Sequence, residues 1–98
     1  MPKPDQLRAL SIRQPWAERI LLGEKTVEHR SQATKVRGKV YIYASLAKPE
    51  AGESESNIKL ARGLIVGTVE VVGCEGSDGE FEWQLINPQR LPEPIAPQ

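Results

Sequence analysis

Five short runs rich in β-branched and aromatic residues, one helical stretch after the first of them, and Gly/Pro punctuation between them predict an α+β, mostly β fold. The expected architecture is a small, mostly antiparallel barrel of about five strands carrying one helix after the first strand. The chain has 98 residues. A single core is normal below roughly 150 residues, so residues 1–98 are expected to form one domain, with 1–6 as a flexible N-terminus and 91–98 as a Pro-rich tail. Hydrophobic residues make up 39% and charged residues 27% of the chain, a balance that buries a core and does not suit a disordered chain. That core is modest, which favours a surface cleft over a large internal cavity as a ligand site.

The elements follow in order. "LRALSIRQ" alternates Leu7, Ala9 and Ser11 against Arg8, Leu10 and Ile12, the period of a short strand. "PWAERILLG" reads as a helix: Pro15 suits the first turn, where its missing N–H has no partner anyway, and Gly23 suits a left-handed C-terminal cap. Trp16, Ile20 and Leu21 form its apolar stripe, with Glu18 and Arg19 outside it, so the helix is expected to pack on a sheet. "KTVEHRS" and "GKVYIYAS" are the next strands. "LAKPEAGESESNIKLARG" is polar and rich in small residues, the pattern of a long surface loop with a helical turn at residues 58–61.

"GLIVGTVEVVGC" is the longest strand signal. Ile65, Val69 and Val71 alternate with Val66, Thr68 and Glu70, which predicts one buried face and another that turns polar near its end; Gly67 marks a bulge or a close backbone approach. "EGSDGE" is a turn, and "FEWQLI" a fifth strand with Phe81, Trp83 and Leu85 on one face. "NPQRLPEPIAPQ" is then expected to be an extended tail without regular structure, because of its prolines.

Composition excludes several classes. No apolar run approaches the ~20 residues that span a bilayer and the start of the chain has no signal-peptide core, so a soluble, cytoplasmic protein with no membrane partner is expected. The one cysteine, Cys74, cannot form an internal disulfide, and with the one histidine it cannot build an ordinary zinc site; neither metal nor cofactor is expected. Thirteen basic and thirteen acidic residues cancel, yet they are segregated. Residues 25–39 hold five basic side chains (Lys25, Arg30, Lys35, Arg37, Lys39) against Glu28 alone, and residues 70–82 hold five acidic ones and no basic one. A neutral total thus permits a positive face that attracts phosphate locally.

The densest cluster is "GEKTVEHR". Alternation along a strand puts Glu28 and Arg30 on one face with Thr26, and Val27 and His29 on the other, which assigns Val27 to the core. Two readings stand side by side. In one, Glu28 and Arg30 make a partly exposed ion pair worth about 0–1 kcal/mol, and Lys25 is solvated. In the other, Lys25 and Arg30 receive a phosphate or carbonyl oxygen in a solvent-filled cleft, and Glu28 orients Arg30 or accepts a hydrogen bond from a base.

The stretch "LSIRQPWAERILLGEKTVEHRS" resembles the start of the ASCH domain, a branch of the PUA-like superfamily named for homology to the activating signal cointegrator. The family motif G-x-K-x-x-E-x-R stands here as Gly23, Lys25, Glu28 and Arg30. "QPWA" (residues 14–17), "GLIVGTVEVVGC" and "FEWQLINPQRLPEP", similar to the family's W-x-L-x-N-P-x-x-L segment, extend the likeness over nearly the whole chain. The resemblance implies a PUA-like barrel with a cleft beside the first helix that takes single-stranded RNA or a nucleoside or nucleotide. Lys25 and Arg30 would contact phosphate or polar base edges, Glu28 would hold Arg30 or read a base donor, and Gln14 would add an amide contact. Trp16 and Tyr43 are the stacking candidates.

Relatives usually continue past "LPEP" with a further strand, whereas this chain stops at "IAPQ", so the barrel is expected to be open at one edge, available to a protein partner or a second copy. Residues 46–62 are also shorter than in many relatives, leaving little room for a lid. Some small relatives are amidohydrolases acting on N4-acylated cytidine and others have been assigned ribonuclease activity. Lys25 matches the Lys of the first chemistry, but Glu28 occupies the place of its Thr nucleophile; if the protein is an enzyme, Lys25 and Glu28 are its acid–base pair. His29, the natural acid–base residue for a ribonuclease, falls on the face opposite Glu28 and Arg30. A third class is a protein interaction module of the transcription coactivator type, using the open edge and the Pro-rich tail.

Overall fold

The computed structural model describes residues 8–48 and 60–97. The expected flexible N-terminus (1–6) and most of the 46–62 loop, including the start of its helical turn, lie outside the described residues. The elements are β1 (Ala9–Ile12), α1 (Trp16–Leu21), β2 (Val27–Arg30), β3 (Gly38–Ala44), β4 (Leu64–Ser77) and β5 (Glu80–Ile95). They form one mixed sheet in the order β1-β3-β4-β5-β2. β1 runs parallel to β3, and the other pairings are antiparallel. The sheet is not closed into a barrel, so β1 and β2 are its two edges, in keeping with the mostly β, open-edged form expected.

The apolar alternation carries the core. Leu10 and Ile12 of β1, Val40, Ile42 and Ala44 of β3, and Leu85 of β5 are buried around Ala17 and Ile20 of α1. The helix therefore packs on the sheet through its apolar stripe. It ends as Gly23 predicts: at φ +79°, with Gly23 N–H donating to Ile20 O (3.0 Å) and Glu24 N–H to Arg19 O (2.9 Å), the paired bonds of a Schellman motif. Pro15 precedes the first helical residue, and its carbonyl accepts from Arg19 N–H at 3.0 Å.

β4 and β5 form a long hairpin closed by Asp78 (φ 53°) and Gly79 (φ 78°). Positive φ at both central residues is the turn whose twist matches that of paired strands. Gly67 serves both of its expected purposes. A register shift lies between Ile65 and Gly67, and a Cβ at Gly67 would collide with the Gln89 carbonyl oxygen and Leu21 Cδ2. The predicted alternation holds only past Val69, because residues 65–69 are all buried in the central strand.

The largest departure is β5. Regular structure does not stop at Asn87 but continues to Ile95. The prolines are accommodated by bulges: Ile86 and Gln89 face Glu70 and Thr68 with one extra residue on β5, and Arg90 and Ile95 face Gly67 and Ile65 with further extra residues between them. Pro88, Pro92 and Pro94 fall in these irregular stretches, where a missing N–H breaks no ladder. Arg90, between them, ties β5 to the helix through a two-pronged pair with Glu18 (Nη1–Oε1 2.9 Å, Nη2–Oε2 2.7 Å). That hydrogen bond raises the Arg90 pKa above its ordinary value.

β2 corrects the assignment of its faces. Glu28 lies opposite Trp83 and Arg30 opposite Phe81, so the charged pair shares the inward face of β5 with Leu85. Val27 is only half-buried, and His29 points outward, its side chain 70% exposed, with Nδ1 4.0 Å from Glu82 Oε2.

Candidate functional site

The helix cap positions the first member of the cluster. The Arg19 carbonyl that accepts from Glu24 N–H also receives Lys25 N–H at 3.2 Å, so Lys25 leaves the cap held against the helix end. Thr26 O then accepts from Leu85 N–H (2.9 Å), which starts β2 beside β5. From there alternation delivers Glu28 and Arg30 to the inward face.

Glu28 is the hub. Its side chain is 13% exposed; Oε2 lies 3.0 Å from Arg30 Nε, and Oε1 lies 3.8 Å from Lys25 Nζ. One carboxylate thus faces two cations and the local sum is positive. Arg30 has two further partners: its guanidinium carbon lies 5.6 Å from the Trp83 ring centre, and Nη2 donates to the Ser11 carbonyl of β1. That last bond spans the two sheet edges, so a side chain clasps the seam that no backbone ladder closes. Trp83 is itself fixed, donating Nε1–H to Gln32 O at 2.9 Å.

On the other side of Glu28, Lys25 Nζ lies 5.7 Å and the Arg19 guanidinium 5.0 Å from the Trp16 ring centre, within the range of cation–π attraction. Trp16, Arg19, Lys25 and Thr26 line a hollow of about 520 Å³, together with Glu24, Val27 and His29. Arg30 opens instead onto a hollow of about 750 Å³ with Phe81, rimmed by Glu75, Glu80 and Glu82. The motif is therefore a ridge between two hollows, one in which Arg19 and Lys25 outnumber Glu24 beside an aromatic ring, the other acidic. An anion is favoured on the Trp16 side.

The structure brings Lys25, Glu28, Arg30 and Trp16 together and leaves two other sequence candidates apart. Gln14 is 2% exposed, and its amide is used internally: Nε2 donates to Ala61 O (2.9 Å), and Oε1 accepts from Glu18 N–H (3.0 Å). It caps the helix start and fastens it to the chain before β4. Tyr43 sits on the β3 face opposite Val40, Ile42 and Ala44, paired with Ser11, and lines neither of the two hollows. Sequence reasoning passed over Trp83 and Arg19 as site members. The signal for Arg19 was present, three residues from Trp16 on the helix, whereas Trp83 reaches Arg30 only through strand register. Cys74 lies across from Trp83, half-buried. Among the described residues no three His, Cys, Asp or Glu side chains group as metal ligands, and no helix is long and apolar enough to cross a membrane.

An open five-stranded mixed sheet with one short helix is a small α+β, PUA-like fold. Residues 10–93 match the family model described as the ASCH domain, and the chain belongs to that family. It is similar to activating signal cointegrator 1 of Homo sapiens, 34% identical over 80 aligned positions covering 66% of this chain and 14% of that protein. The corresponding protein of Mus musculus is 32% identical over 91 positions, covering 78% and 16%. The chain thus spans under a fifth of the length of the curated relatives it matches.

Proposed function

We propose that this ASCH domain binds single-stranded RNA or a nucleotide-like ligand at the ridge formed by Lys25, Glu28 and Arg30, with the ligand seated on the Trp16 side. The reading rests on one observation above the others: a half-buried carboxylate holds two cations, of which Lys25 faces a hollow it shares with Trp16 and Arg19. Both Glu28 oxygens face cations of the chain, so Glu28 acts as positioner, and the groups left for a ligand are mainly donors and aromatic faces, with Glu24 the one carboxylate among the residues lining the hollow. Phosphate and carbonyl oxygens suit the donors, and a base suits the rings. The association of the family with RNA binding points the same way.

The test is an NMR shift titration with cytidine, N4-acetylcytidine and a short single-stranded RNA on wild type and Lys25→Ala. Shifts are expected at residues 16, 19, 25 and 30, lost in the variant and weakened by salt. Shifts confined to residues 86–95 and indifferent to salt would instead assign the domain to a protein partner at its open edge. Release of acetate from the acylated nucleoside would assign it to hydrolysis.

A further inference from the structure

A second basic hollow lies outside the motif. Arg8, Thr34, Lys35 and Arg37, with Ala33 and Val36, line a depression of about 420 Å³. Three cations from two segments meet there, and among the described residues no carboxylate lines it. Its walls are held in place. Arg8 O accepts from Tyr41 N–H (2.8 Å), pinning the approach to β1 against β3. Val36 packs on the core, its N–H donates to Thr34 Oγ1 (3.0 Å), and Arg37 Nη1 donates to Thr34 O (3.1 Å) and Val36 O (2.8 Å). The Arg37 guanidinium is thus aimed by its own turn through Nη1. Lys39, by contrast, faces Glu70 across the sheet and stands outside the hollow.

The link between hollow and ridge is short and anchored. Residues 31–37 join Arg30 to the basic turn, and Trp83 holds the link at Gln32. Arg30 and Lys35 are five positions apart, at most about 18 Å of extended chain. None of the exposed large apolar side chains, Leu22, Leu46, Val72, Ile86 and Ile95, lines the depression. A lipid surface is engaged through apolar insertion as well as charge, so a phosphodiester chain suits the hollow better than a membrane does.

We propose that the Arg8–Lys35–Arg37 hollow is a second anion seat, taking a backbone phosphate of a single-stranded polynucleotide that also occupies the Lys25 ridge. The proposal rests on the reading above and narrows it: the ligand is a strand and not a free nucleotide. The seat holds phosphate without reading sequence, and the ridge supplies the rings on which bases stack.

The test compares wild type with Arg8→Gln/Lys35→Gln, which removes two cations that bond to nothing in the turn, and with Arg37→Lys as a second variant that keeps the charge but not the fork. The probes are cytidine monophosphate and an oligoribonucleotide of about eight residues, within the roughly 4–16 residues that small β-rich strand binders cover. For the double variant, oligonucleotide affinity is expected to fall about tenfold, and the slope of log K against log salt to flatten by about 0.7, the value for one phosphate contact on a single strand. Monophosphate binding should stay unchanged, and Arg37→Lys should fall between the two. An unchanged oligonucleotide affinity and slope, with the monophosphate still bound, overturns the seat and leaves the ridge standing. Failure of wild type to bind either probe removes the ridge and the seat with it. Wild-type binding to phosphatidylserine–phosphatidylcholine vesicles in place of the oligonucleotide overturns the proposal in favour of a membrane.

Discussion

Among the described residues, two glutamate–arginine pairs look alike and differ in what they leave over. Glu18 and Arg90 meet fork to fork at 2.9 and 2.7 Å, so each satisfies the other and the pair staples helix to sheet. Glu28 and Arg30 meet through one guanidinium nitrogen, while the other carboxylate oxygen turns to Lys25. The first pair is closed. The second carries an extra positive charge beside two indole rings, and it is on that surplus, not on the presence of an ion pair, that the proposed ligand site rests.

The contrast can be attacked at four points. The largest effect is expected from Gly67→Ala, which drives a methyl group into the Gln89 carbonyl and Leu21 where the closed pair holds α1 to β5. A loss of about 3 kcal/mol is expected, at the upper end of overpacking because one colliding atom is backbone; urea unfolding within 0.5 kcal/mol of wild type would show that this interface yields easily. Next, Glu28→Gln leaves Lys25 and Arg30 facing each other without a counter-charge. About 2 kcal/mol is expected, below the 3–5 of a fully buried pair because the site is partly solvated. A gain in thermal stability would mean that the two cations already point apart.

Lys25→Ala should reduce oligonucleotide affinity about tenfold and flatten its salt slope by about 0.7, with little change in unfolding free energy. Equal affinities in wild type and variant would remove the ridge as a binding site. The smallest effect belongs to the closed pair: Arg90→Ala is expected to cost about 0.5–1 kcal/mol, as exposed pairs do, and to leave ligand affinity unchanged. Its pH signature follows from the raised Arg90 pKa. A folded-state value above the unfolded one gives a contribution that is complete below arginine's ordinary range and lost only as alkali takes the pH through the folded value. A calorimetric difference between wild type and Arg90→Ala that shrank between neutral pH and pH ~10 would contradict that sign.

What the sequence made legible was mainly local. Pro15 and Gly23 bounded the helix, "EGSDGE" marked the hairpin turn, though the strands close it down to Asp78–Gly79, Gly67 announced the bulge, and the K-x-x-E-x-R spacing put three charges within reach of one another. What it hid was set by residues far apart in the chain. Trp83 joins Arg30 because β2 pairs with β5 in one particular register, and Gln14 turns inward because Ala61, 47 positions on, offers a carbonyl. Val27 looked like core because alternation was read without knowing which face β5 would cover. The prolines of β5 read as stops, since a strand that admits them through bulges cannot be told from a coil without its partner.

The seam between the edge strands has a mechanical consequence. Because Arg30 alone among the described side chains ties β2 to the Ser11 carbonyl, the two margins can separate by the swing of a single guanidinium, with every ladder intact. A phosphate that drew this group away would unlatch the two edges, and amide exchange along Ala9–Ile12 would register the visitor from across the gap.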